Sequence, residues 1–487
     1  MEEKRSLKSK TVSALFWSFS DLLAGHGIKF IIQIILARLL VPKDFGIIGM
    51  IMVFIAVSQS IIDSGFSNAL IREKESSQED FSTVFYFNLG MAAILYIILF
   101  FTAEAISSFF KEPQLVSIIR VLALVLIINS FGLIQRTILI KKIDFKTQTN
   151  ISLISSIVSG VIAIICALWG LGVWSLVIQT LLMQFIKSLL LSLSNRWIPS
   201  LIFSIDSFRK LFGFGWKLLV SGLIDTLYNN LYLLIIGKAF SAVDLGYYTN
   251  AQKLSDMASQ SMTTTVQKVS YTVLSSIKED EDKLRAAYMK IIKTTIFITF
   301  PLMMGSAAVA DPLIRLIFGE RWINSIVYFQ IACFTGMLYP LHAINLNILQ
   351  VKGRSDLFLK LEIIKKIIGI SLIATILFLK LGIIVLLWGS VLSSFISYFI
   401  NSYYSAEMVS YSTMQQIKDV TPVFIISVFM GTVVYFSGGI LPSNNLIKII
   451  AQFIIGVVIY VAVCKLTKIE ELNTVYNLKK YIFGGIK

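Results

Sequence analysis

Long, unbroken apolar runs dominate this chain and leave few folds open to it. Between Phe81 and Phe110, thirty residues, Glu104 is the one charged side chain. A helix needs about 20 apolar residues to cross a bilayer. Membrane β-barrels instead show alternating segments of about ten residues. Irregular backbone facing lipid costs several kcal/mol for each unpaired group. Runs of this length therefore predict helices. The 487 residues are 56% hydrophobic and 15% charged, against roughly 45–50% and 25% for a soluble domain. The expected fold class is an all-α integral membrane protein with about fourteen transmembrane helices.

Those spans are expected near 11–40, 45–71, 81–110, 114–139, 147–169, 171–194, 212–239, 245–276, 285–310, 322–350, 358–379, 381–405, 420–439 and 445–465. The charged N-terminus precedes an apolar stretch, as in a signal peptide. That stretch holds Asp21, His26 and Lys29 and is too long for a cleaved leader, so it reads as a retained first helix. Cys166, Cys333 and Cys464 all fall inside apolar runs and read as packing residues. Basic residues separate by side. One set of loops and both termini carry 25, among them Lys4, Arg72, Lys141, Arg196, Lys283, Arg354 and Lys480. The other side carries seven: Arg38, Lys43, Lys111, Lys238, Arg315, Arg321 and Lys380. By the positive-inside rule both termini are expected in the cytoplasm. The net charge of +15 is largely this topology signal plus attraction to anionic lipid. No basic soluble face exists for nucleic acid.

The chain repeats itself. Ala37-Arg38-Leu39-Leu40-Val41-Pro42-Lys43-Asp44-Phe45-Gly46 matches Gly237-Lys238-Ala239-Phe240-Ser241-Ala242-Val243-Asp244-Leu245-Gly246 at an offset of 200. Gln78-Glu79-Asp80 has a counterpart in Asp280-Glu281-Asp282. Leu171-Gly172-Val173 has one in Leu381-Gly382-Ile383, at an offset of 210. Copies that begin after an even number of spans share one orientation, so two parallel six-helix repeats around a central cavity are expected. The domains are then residues 1–200, an N-terminal lobe; 201–410, a C-terminal lobe; and 411–487, two further helices and a tail. Residues 195–211, with Arg196, Trp197, Phe203, Phe208, Arg209 and Lys210, read as an interfacial amphipathic linker.

This layout, with the Ala37–Gly46 stretch and Asp63-Ser64-Gly65-Phe66 at the end of the second span, resembles the multidrug/oligosaccharidyl-lipid/polysaccharide exporter superfamily. Within it the Wzx-type O-antigen and colanic acid exporters are most similar. The resemblance implies export of undecaprenyl-pyrophosphate-linked oligosaccharide across a bacterial inner membrane. Its partners would be membrane lipid and other polysaccharide-assembly membrane proteins. Pro42, Asp44 and Gly46 themselves have a plainer use, a tight turn and a helix cap.

Charges inside spans are costly and normally face the bundle interior. Stepping by four residues picks out Asp21, Gly25, Lys29 and Gln33 in the first span, and Gln59, Asp63 and Ser67 in the second. It also gives Ser221, Asp225 and Asn229 in the seventh, beside Tyr228 and Tyr232. The eighth has Lys253, Asp256, Gln260, Thr263 and Gln267. The resemblance puts these helices around the cavity. The candidate substrate contacts are therefore Asp21, Lys29, Gln33, Asp63, Asp225, Asn229, Lys253, Asp256 and Gln260. Lys29 and Lys253 are suited to pyrophosphate. The plain alternative is that Asp21 pairs with Lys29 and Lys253 with Asp256. Arg120, Lys290 and Lys293 lie near helix ends and can snorkel. His26 and His342 make no metal site. Each reads as a hydrogen-bonded interior ring, with proton coupling as the alternative. Pro301 and Pro340 should kink their spans.

No cofactor is expected, and proton or sodium coupling stays open. An ion-coupled multidrug antiporter would recruit Asp21, Asp63 or Asp225, but the lysines favour an anionic cargo. A peptidoglycan-precursor flippase fits such a cargo equally well. A membrane enzyme would need a water-exposed catalytic loop, and the outer loops are only a few residues long.

Overall fold

The computed structural model describes residues 26–73 and 75–472, which form helices joined by short turns. Two compact units meet between Gly246 and Tyr247. In the first are α1 (His26–Leu39), α2 (Pro42–Asp63), α3 (Phe66–Arg72), α4 (Gln78–Phe110), α5 (Leu115–Leu122) and α6 (Leu124–Lys141). They are followed by α7 (Phe145–Leu168), α8 (Val173–Asn195), α9 (Ile205–Asn229) and α10 (Leu231–Ala239). The chain passes into the second unit along α11 (Ala242–Ser276). That unit continues with α12 (Glu281–Ala308), α13 (Ala310–Ile317), α14 (Ser325–Gly336), α15 (Tyr339–Val351), α16 (Ser355–Phe378), α17 (Ile383–Val409), α18 (Thr413–Ser437) and α19 (Asn445–Leu466).

Among the described residues ten stretches, counting α2–α3, α5–α6 and α14–α15 as one each, are long and apolar enough to cross a membrane, or eleven if α9 and α10, bent by 40°, form one span. The other three expected spans fall short for separate reasons. The first extends past the described residues. The eighth, α11, is too polar. The eleventh, α16, carries Glu362, Lys365 and Lys366 in its first half.

Several spans are broken, each for a local reason. The second stops at Ser64 (φ 45°) and Gly65 (φ 73°), and α3 restarts at Phe66. Left-handed backbone is cheap at glycine. The tenth breaks just before Pro340, which sits in the first turn of α15 where its missing N–H is harmless. Pro301 lies inside α12 without ending it. Within the 195–211 segment, residues 196–204 form no helix. Its backbone is pinned to α4, with Gln78 donating to the Ile198 carbonyl at 2.8 Å and Ser200 N donating to Ser82 Oγ at 3.0 Å.

In lipid, apolar contact alone does not drive helix association, so small residues and hydrogen bonds must hold the bundle. Gly160 of α7 receives Ile32 of α1, and Gly132 of α6 lies against Ser188 of α8. The seventh span packs on α2, α3 and α4. There Gly65 and Gly215 touch, and a Cβ on Gly65 would fall 2.6 Å from the Gly215 carbonyl oxygen. In the second unit α18 lies along α12, and Tyr460 of α19 donates to the Phe297 carbonyl at 2.8 Å. All three cysteines are buried and free.

The repeated turn has a structural use. Asp44 Oδ2 accepts from Val41 N at 3.2 Å, and Asp244 N donates to Ser241 Oγ at 3.0 Å, so both copies cap the helix that follows. The glycines of the two copies meet reciprocally. A Cβ on Gly46 would lie 1.7 Å from the Ala242 carbonyl oxygen, and one on Gly246 would lie 1.9 Å from that of Pro42. Backbone therefore packs on backbone at the starts of α2 and α11. Gly172 (φ 54°) and Gly382 (φ 83°) open α8 and α17, another matched pair.

Candidate functional site

On α1, Ile32 and Leu36 are buried while Ile31 is 58% exposed. Each residue advances 100° around the helix, which puts Lys29 on the side of Ile32 and Leu36, away from Ile31. Lys29 is exposed, with no ion-pair or hydrogen-bond partner among the described residues. It points neither at the apolar face nor at a carboxylate. Gln33 is half-buried nearby. Asp21, and with it the Asp21–Lys29 pair, lies outside the described residues, as does the His26 side chain.

Asp63 has a structural task that its spacing did not reveal. Its Oδ1 accepts from Ser67 Oγ at 2.6 Å and from Ser67 N at 3.3 Å, bridging the break between α2 and α3. Ser67 is therefore not one turn further along the same helix, and the expected stripe ends at the break.

The seventh span has three faces. Leu211, Gly215, Leu218 and Gly222 turn toward α2 and α3. Trp216, Val220, Ile224 and Leu227 form an exposed apolar face suited to lipid. Lys217, Ser221 and Asp225 occupy the remaining side with Tyr228, and the first three are exposed. Asn229 is exposed as well and ends α9 where the chain bends. Lys217 belongs to this polar face and was missed by a pattern anchored on Asp225.

The most informative helix is α11. Its 35 residues would span about 52 Å, well beyond the roughly 30 Å of hydrocarbon. Ser255 and Ser259 turn inward onto Gly336 of α14. Lys253, Gln260, Ser261, Thr265, Gln267 and Lys268 are exposed. Asp256 accepts from Gln252 Nε2 at 2.9 Å. Lys253 has no ion-pair or hydrogen-bond partner among the described residues, so the alternative Lys253–Asp256 pair is not formed. A helix polar over so much of its surface cannot face acyl chains along its length. Water or a hydrophilic ligand must meet it.

Of the other charges singled out in the sequence, Lys290 is exposed with no ion-pair or hydrogen-bond partner among the described residues, and the rest are engaged. Lys293 pairs with Asp419 at 3.2 Å, tying α12 to α18. Arg120 pairs with Glu104 at 3.0 Å and stacks on Phe100. His342 lies 3.0 Å from Ser394 Oγ through Nε2 and 3.4 Å from Asn401 Nδ2 through Nδ1. Among the described residues, no three His, Cys, Asp or Glu side chains are grouped to hold a metal.

Comparison with known proteins adds independent findings. A family profile described as "Polysaccharide biosynthesis protein" matches residues 35–327. The teichuronic acid biosynthesis protein TuaB of Bacillus subtilis (strain 168) is 24% identical over 383 residues, covering 78% of both chains. The lipopolysaccharide biosynthesis protein WzxC of Escherichia coli (strain K12) is 26% identical, over 76% of this chain and 75% of its own. Among solved structures, the lipid II flippase MurJ in an inward closed conformation superposes with a TM-score of 0.73 at 17% identity, over 94% of this chain and 98% of its own. An inward-facing multidrug transporter of the MATE family gives 0.60 at 15% identity, over 80% and 94%. The chain thus shares the fold of this transporter superfamily.

Proposed function

The chain belongs to the polysaccharide biosynthesis protein family, and from that premise we propose that it is a flippase for a lipid-linked oligosaccharide. The cargo is an undecaprenyl-pyrophosphate-linked repeat unit, carried by alternating access from the cytoplasmic to the periplasmic leaflet of a bacterial inner membrane. Both termini lie in the cytoplasm. The observation that carries this reading is α11, longer than the bilayer is thick, with Lys253, Gln260, Ser261, Thr265, Gln267 and Lys268 exposed along it.

Two features support an anionic head group over a cationic drug. Lys29 and Lys253 are exposed and unpaired among the described residues, while Asp63 and Asp256 already accept hydrogen bonds from neighbours. An ammonium–phosphate contact contributes about 1.5–3 kcal/mol, so each lysine should matter roughly 10- to 100-fold. Sugar hydroxyls would meet Gln33, Asn229, Gln260 and the polar side of α9, with Asp225.

Deleting the gene tests the reading. Lipid-linked repeat units should accumulate on the cytoplasmic leaflet, and surface glycan should fall. Restoring the gene with Lys29→Ala and Lys253→Ala together should leave membrane levels normal and export absent. Unchanged surface glycan with new drug sensitivity would instead establish the antiporter.

A further inference from the structure

Within the second unit, a polar seam runs down α17 toward the end that carries the basic loops. Thr335 meets Ser390 at 3.3 Å, and His342 meets Ser394 at 3.0 Å and Asn401 at 3.4 Å. Lower down, the Tyr288 hydroxyl lies 2.5 Å from Asn345 Oδ1 and 3.0 Å from Ser405 Oγ. The Tyr411 ring packs edge-on against Tyr288, its hydroxyl donates to Asp419 at 2.6 Å, and Asp419 pairs with Lys293. Asp419 and Lys293 are partly exposed, at 25% and 29% of their side chains. Polar side chains therefore recur from the half-buried His342 toward the membrane edge.

Several polar atoms along it have no protein partner. Gln416 is fully buried with both amide atoms unpaired. Asn345 Nδ2, Asn401 Oδ1 and the Tyr398 hydroxyl are unpaired as well. Buried polar groups are almost always satisfied, and hydrocarbon surroundings make the exceptions expensive. Chemistry narrows the occupant. An anion would satisfy the two amide nitrogens and the Tyr398 O–H but not the amide oxygens, and a cation only the oxygens. Water donates and accepts, so it alone serves the whole set.

We propose that the second unit encloses a file of ordered water molecules along α17, entered beside Lys293–Asp419 and ending at His342. In it, Gln416 and Asn345 hold the outer part, and Tyr398 and Asn401 the inner part. From Ser405 to Ser394 the file covers about 16 Å of helix. His342 takes up the inner end as a neutral ring, accepting from Asn401 at Nδ1 and donating to Ser394 from Nε2. Lys365 on α16, itself paired with Glu362, is the charged neighbour of that ring.

Radiolytic hydroxyl-radical footprinting with mass spectrometry tests this on the full-length protein in lipid nanodiscs. Radicals form from bound water, so a buried side chain reacts only where water is held against it. Tyr398 should be modified several-fold faster than Tyr460, which is similarly buried but bonded to a protein carbonyl. Rates no faster than that of Tyr460 would overturn the proposal. Gln416→Met should reduce labelling of Tyr398 without lowering the melting temperature. Undiminished labelling would overturn the assigned route past Gln416. Neither outcome depends on the transported cargo, so the flippase reading stands or falls separately.

Discussion

The sixth and twelfth spans are counterparts in the two copies, yet they make opposite kinds of seam. At an offset of 210, Gly132 corresponds to His342, Gln135 to Asn345, Gln184 to Ser394, Ser188 to Tyr398 and Asn195 to Ser405. In the first unit small meets small. A Cβ on Gly132 would lie 2.7 Å from Ser188 Oγ and 3.1 Å from Ser188 Cα. Helices that close use their polar groups on one another and on backbone. Gln184 donates to Asn129, Ser188 to the Ile128 carbonyl at 2.8 Å, and Asn195 to the Gln135 carbonyl at 2.6 Å. One atom of that set, Gln135 Oε1, remains unpaired. In the second unit His342 and Tyr398 stand where Gly132 and Ser188 do, the other three positions carry shorter side chains, and Asn345 Nδ2 and Asn401 Oδ1 are left unpaired. The lesson is that side-chain size, more than polarity, decides whether a buried polar seam is sealed or hydrated.

The largest expected effect comes from prying the sealed seam open. Gly132→Val forces a branched side chain into backbone and should cost about 3 kcal/mol or more. It should appear as a lower melting temperature or loss of monodisperse protein, and a wild-type melt would show that α6 and α8 can part freely. Tyr288→Phe should cost about 1–3 kcal/mol, because it strips Asn345 and Ser405 of a shared partner. A melting curve checks it, and no change would mean that water already replaces the hydroxyl. The smallest effect belongs to the first unit's amide pair. Gln184→Leu alone should cost about 1 kcal/mol, and Gln184→Leu with Asn129→Leu should return close to wild type, since both polar partners leave together. Non-recovery in that double variant would mean that Asn129 or Gln184 has a second role.

Much of this architecture was legible in the sequence. Apolar run length gave the spans, and the repeated Asp and Gly positions gave the paired turns. The polarity of α11 is visible in Gln260–Gln267. What the four-residue stepping missed were interruptions and rotation. It assumed a continuous helix through Ser64–Gly65, where Asp63 instead bridges a break. It also ended the α9 stripe at Ser221 and so overlooked Lys217, one step earlier on a face that winds 40° with each step. The buried seam was harder still. Ser390, Ser394, Asn401 and Ser405 look like small residues scattered in an apolar run. Only the facing residues of α12, α15 and α18 turn them into a connected set.

The reciprocal contact of Gly46 and Gly246 has a consequence for how this chain can vary. The obstacle to a side chain at either place is a carbonyl, a group every amino acid shares. Gly46→Ala therefore cannot be rescued by any replacement at Ala242, nor Gly246→Ala by any at Pro42. Each position tolerates hydrogen or nothing, and relief would require moving a whole helix.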